Sequence, residues 1–213
     1  MAGRSARARN PRGRGGRLRD ELIQAASALL AEGRSLTLRS VAARAGVAAT
    51  SVYLHFPTVE HLSAAVAARS FAEMGAALAA AEAGTDPRAI LLARCRAYCA
   101  FALAHPGHYR VMFEADRPDL APAVPYSLER SPGWPALERL AGNVRRCQEA
   151  GLAPPGDPLR QAITVWAMLH GLVTLRLSRP RFPWPPLDGQ VDEAVGRLLA
   201  PTGDRPDAAP PPQ

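Results

Sequence analysis

Residues 36–62 read LTLRSVAARAGVAATSVYLHFPTVEHL, and the punctuation of this run decides the fold. Thr37 offers an N-cap hydroxyl ahead of a short helix predicted over 38–45, whose Leu38, Val41 and Ala42 share one face. Gly46 ends that helix where the chain must turn with positive φ, a conformation glycine adopts at no steric cost. A second short helix is predicted over 49–54, after a three-residue turn. Two short helices joined by a glycine-containing turn have the geometry of a helix-turn-helix. Val47 is expected to plug the angle between them, and Ala42 to be small because they cross closely there.

The rest of the chain reads as further helices separated by Gly and Pro. Leu18, Leu22, Ala25, Ala26 and Leu29 recur at helical spacing, which predicts a helix over 17–32. A long helix is predicted over 58–82. Asp86-Pro87 and Asp157-Pro158 each set an N-cap before a proline at the first helical position, opening helices over 87–104 and 158–178. Others are expected from Pro106, over 134–150 and over 189–200. Four prolines between 117 and 133 mark a long loop. No strand pair or repeat is found, so the expected class is all-α with about nine helices. Residues 17–62 form a three-helix N-terminal unit and 63–200 a helical bundle.

Charge is segregated along the chain. All 26 basic residues are Arg, and residues 1–70 hold 11 of them against 4 acids, so the whole net charge of +7 lies in the first third. A basic segment on a neutral body is expected of a part that meets a polyanion. Residues 1–16 are rich in Arg and Gly with little to bury, and are read as a disordered basic arm; 201–213 are read as a disordered tail. No run of about 18 apolar residues is present, so no membrane span or membrane partner is expected. Cys95, Cys99 and Cys147 lack a disulfide-scaffold spacing, and a cytoplasmic, reduced chain is the expectation.

In a helix-turn-helix the second helix enters the major groove. Its outer side here offers Ala48, Ala49, Thr50, Ser51, Tyr53 and His55. Small side chains allow close approach, hydroxyls bond bases or phosphates, and methyls touch thymine. Thr37, at a helix N-terminus, is placed for a phosphate. Arg39, Arg44 and the arm would supply sequence-independent affinity. Phe56 is expected to pack inside.

The pattern T-x-R-x-V-A-x-x-A-G-V followed by Y-x-H-F resembles the DNA-binding domain of the tetracycline-repressor (TetR) family, with a match over about 17–71. The resemblance implies DNA contact by Thr37, Thr50, Tyr53 and His55. It also implies a homodimer on a palindromic operator, with a two-fold interface built from the helix 158–178 and the terminal helix. Two departures stand out. Val59 occupies the place of a phosphate-holding Lys, and Leu54 that of a common aromatic; the phosphate grip is therefore expected to pass to the arm.

HPGHYRVMF (105–113) and VWAMLHG (165–171) resemble a C-terminal TetR subclass with a Trp…His-Gly motif, here Trp166, His170 and Gly171. An apolar pocket with a few polar groups describes a small-molecule site. Its candidate lining is Tyr98, Cys99, Phe101, Tyr109, Met112, Phe113, Trp166, Leu169 and His170, although aromatics at helical spacing are more often plain core. Cys95 and Cys99 have no second ligand pair at metal spacing, so neither metal nor cofactor is expected, and no catalytic constellation is found. The reading is a dimeric repressor released by an unidentified small-molecule effector. An activator of the same fold and a nonspecific architectural DNA binder are the alternatives. An enzyme carrying a vestigial DNA-binding unit is a further rival, which the missing catalytic groups disfavour.

Overall fold

The computed structural model describes residues 15–113 and 128–200, and every regular element among them is helical. The tail, residues 1–14 of the arm and 114–127 of the proline-rich loop lie outside the described residues. Gly15 and Gly16 belong to the first helix rather than to the arm, and Leu128–Arg130 forms a 3-10 turn at the end of the expected loop.

The helices are α1 (Gly15–Ala31), α2 (Leu38–Ala45), α3 (Ala49–Tyr53), α4 (Val59–Ala80), α5 (Pro87–Ala104), α6 (Pro106–Phe113), α7 (Trp134–Glu149), α8 (Pro158–Ser178) and α9 (Leu187–Leu198). Their starts follow local chemistry. Ser40 N–H donates to Thr37 Oγ1 at 2.9 Å and Thr37 N–H donates to Ser40 Oγ at 3.0 Å, a reciprocal cap on α2. The Asp86 and Asp157 carboxylates accept from the backbone of Arg88 and Leu159, each at 2.9 Å. Gly46 closes α2 at φ 68°, in the left-handed region. Thr58 precedes α4 as its N-cap residue instead of opening it, and α9 begins two residues earlier than its pattern suggested.

Two apolar clusters organise these helices. Leu22, Ala26, Leu29, Val41, Val52, Phe56 and Leu62 hold α1 to α4 together at the N-terminal end. Leu91, Cys99, Val144, Val165, Leu169 and Val191 belong to a larger cluster spanning α4 to α9. Each fully buried Leu or Val contributes roughly 1.5–3 kcal/mol. Two helices serve both clusters. α4 gives Leu62 and Val66 to the first, and Phe71, Met74 and Leu78 to the second. On α6, Val111 packs on the first cluster while Tyr109 and Met112 belong to the second.

α6 meets α1 at Gly107. A Cβ there would lie 2.4 Å from the Leu30 carbonyl oxygen, so only glycine permits this approach. A buried ionic knot closes the far end of the bundle. Glu82, just past α4, accepts from Arg94 Nη1 at 2.7 Å, Arg139 Nε at 2.7 Å and Asn143 Nδ2 at 3.0 Å. Arg94 Nη2 also donates to the Ala136 carbonyl at 2.7 Å. The knot ties α4, α5 and α7.

Candidate DNA-reading surface and ligand cavity

The second helix of the helix-turn-helix is anchored by Val52 and Phe56, 0% and 2% exposed, with the Arg19 guanidinium 5.2 Å from the Phe56 ring centre. Anchoring that side turns the other to solvent. Ala48 and Thr50 are exposed, Ser51 and His55 half-buried, Tyr53 is 52% exposed and Leu54 is 85% exposed. Two large apolar side chains left open on so short a segment gain nothing from folding. Thr37 is exposed, but its hydroxyl is engaged with Ser40, so an incoming phosphate would meet the open N–H groups of the α2 N-terminus. Arg44 is paired with Glu32 at 2.7 Å, whereas Arg39 is exposed and has no ion-pair partner among the described residues.

The bundle contains a cavity of about 310 Å³. α4 lines it with Phe71, Met74 and Leu78; α5 with Arg94, Cys95 and Tyr98; α6 with Met112 and Phe113. α7 adds Trp134, Leu137 and Leu140, and α8 adds Trp166 and Leu169. Along its inner edge runs a hydrogen-bonded series. Trp166 Nε1 donates to the Tyr98 hydroxyl at 3.3 Å, that hydroxyl lies 2.9 Å from Tyr109 Oη, and Tyr109 Oη lies 2.5 Å from His170 Nδ1. Burial pushes the Tyr98 phenol up to about 12 and Tyr109 further up, so both stay protonated at neutral pH. Burial likewise pushes the Cys95 and Cys99 thiols to about 12, which suppresses the reactive thiolate. No group of three side chains able to hold a metal occurs among the described residues, and no described helix is long and apolar enough to cross a membrane.

Residues 22–66 match the sequence profile of bacterial regulatory proteins of the tetR family, and residues 91–201 match that of the tetracyclin repressor-like C-terminal domain. The chain belongs to the TetR family of bacterial transcriptional regulators. A protein of unknown function from Rhodococcus sp. RHA1 is similar over 90% of this chain and 100% of its own, at 31% identity and TM-score 0.72. PfmR of Thermus thermophilus, a TetR regulator, aligns over 85% of this chain and 98% of its own at 18% identity, TM-score 0.58. RolR, solved with resorcinol, aligns over 89% of this chain and 90% of its own at 20% identity, TM-score 0.66. The last two share the fold. No curated protein sequence matches.

Within this TetR chain, five of the nine candidate pocket residues border the cavity: Tyr98, Met112, Phe113, Trp166 and Leu169. Tyr109 and His170 sit behind them, joined through Tyr98. Cys99 and Phe101 are not among the residues that border the cavity, and Phe101 packs against His105 with ring centres 4.7 Å apart. The α4 and α7 walls and Arg94 were not anticipated. Phe71, Met74 and Leu78 do form a helical stripe, a signal that could have marked one wall. Nothing local pairs Arg94 with Glu82.

Proposed function

We propose that this chain is a dimeric repressor whose two α3 helices read a palindromic operator and which a small molecule in the bundle cavity releases from DNA. The DNA reading rests chiefly on one observation, the outward display of Thr50, Tyr53 and Leu54 from a helix whose opposite side is locked by Val52 and Phe56. Thr50 and Ser51 supply hydrogen bonds, and Leu54 and the Ala48 methyl supply apolar contact to thymine. Tyr53, His55 and Arg39 reach phosphates, together with the basic arm. On this reading residues 17–62 are the reader and 63–200 the sensing and dimerising part, with no enzymatic activity.

Ile163 and Leu175 on α8 and Leu198 on α9 are 38%, 52% and 40% exposed, an apolar face that a two-fold partner would cover. α6 supplies the coupling. It borders the cavity through Met112 and Phe113 and rests on α1 through Gly107 and Val111. A ligand that binds better when α6 has shifted draws the two readers out of register with the half-sites. RolR, with bound resorcinol, supports a ligand-responsive role. Competition binding tests the reading: a selected genomic fragment should outcompete random DNA of equal length, and equal competition would leave only an architectural role.

A further inference from the structure

Taking the cavity as the effector site, we propose that its ligand is a compact aromatic carboxylate, one or two rings in size, whose carboxylate meets Arg94. Arg94 is 3% exposed yet borders the cavity. A guanidinium carries five N–H donors and no acceptor. Within the described residues two are taken, by Glu82 Oε1 and by the Ala136 carbonyl. Three N–H groups remain for a further acceptor, and a carboxylate matches the fork geometry best.

The local charge selects the same sign. Glu82 is held by two guanidiniums, Arg94 and Arg139, so the knot carries a net positive charge. Neither Glu82 nor any other acidic side chain is among the described residues bordering the cavity. Tyr98 lies one helical turn from Arg94, and its hydroxyl, already joined to Trp166 Nε1 and Tyr109 Oη, has one hydrogen-bonding position left for a ring substituent.

Shape selects rings over a long chain. Phe113 meets Phe71 edge-on with centres 5.4 Å apart and Trp166 at 6.2 Å, and Trp134 adds a further aromatic wall. Such walls favour offset or edge contacts with a planar ligand. About 310 Å³ lies near the lower end of small-molecule sites, room for on the order of ten to fifteen heavy atoms.

The test uses the full chain, thermal unfolding and calorimetric titration at neutral pH. The probes are benzoate, 2-naphthoate, their primary amides, benzylamine and octanoate. One or both aromatic acids should raise the melting temperature and bind at least about tenfold tighter than the matching amide, with benzylamine inert and octanoate weaker. Arg94→Lys keeps the charge but loses the fork, and should reduce acid binding about tenfold while leaving amide binding unchanged. If that variant fails to fold, the probe series decides alone. Amides or the amine binding as well as the acids, octanoate binding better, or no probe binding would each overturn the ligand class. Selectivity for a genomic DNA fragment, measured on the same sample without probes, stands or falls separately, so the regulator reading is judged independently.

Discussion

Replacing Gly107 with Ala would place a methyl group 2.4 Å from the Leu30 carbonyl oxygen and 3.0 Å from its carbon, well inside ordinary contact. The neighbour is backbone, in the last turn of α1, and cannot rotate away. α6 must therefore move off α1 by at least about 0.6 Å to restore a tolerable contact, the kind of overpacking that costs about 1–3 kcal/mol. At about 2 kcal/mol the melting temperature should fall by about 4–8 °C. The same displacement separates the sensing bundle from the reader, so affinity for a selected DNA fragment should fall about three- to tenfold as a ligand-free mimic of release. Gly142, inside α7, has nothing within 4 Å of where an added methyl would sit and serves as the control. Gly142→Ala should stabilise by about 0.5–1 kcal/mol and leave DNA affinity unchanged. Equal melting temperatures for Gly107→Ala and the parent chain would refute the tight α1–α6 seam. A clear loss of stability with unchanged DNA affinity would refute its role in coupling.

Tyr53→Ala and Leu54→Ala should each weaken binding to a selected fragment by about 1–3 kcal/mol, with melting temperatures unchanged because both side chains are largely exposed. Comparable losses of stability would place them in the core. Glu82→Ala should cost about 3–5 kcal/mol by stranding buried Arg94, read from denaturant unfolding. Burial raises the Glu82 carboxyl, but the bonds from Arg139, Asn143 and Arg94 outweigh it and hold the carboxyl below its ordinary value. Its stabilisation is thus complete above the unfolded pKa and is lost as pH falls through the lower folded value. Glu82→Gln should flatten the stability profile on the acid side of the ordinary carboxylate range, where the parent chain loses stability. Removing residues 1–14, with their five arginines, should reduce the salt slope of DNA binding by up to about 4.5 if all five meet phosphate; an unchanged slope removes the arm from the interface.

The reader was legible because its signals are local. Thr37, Gly46 and the apolar positions 38, 41 and 42 specify α2 and the turn without reference to distant residues. Asp-Pro pairs marked α5 and α8 for the same reason. The cavity was only half legible, since its walls come from five helices. Arg94, Cys95 and Tyr98 of α5 border the cavity while Cys99, one turn on from Cys95 and about 40° further round, does not, a distinction that periodicity alone cannot make. Tyr109 and His170 carry suitable chemistry but stand behind Tyr98. Arg94 escaped notice because its reason for being buried is Glu82, twelve positions earlier across a turn.

Repression as proposed requires two copies of the chain to present paired α3 helices to one duplex. Footprinting of a selected genomic fragment, with the mass of the same complex measured by analytical ultracentrifugation, tests it most directly. The expected result is two or an even number of protomers per duplex, protecting two symmetry-related half-sites about 34–36 Å, or a multiple of that, apart. A single protomer with uniform protection along the DNA would contradict it.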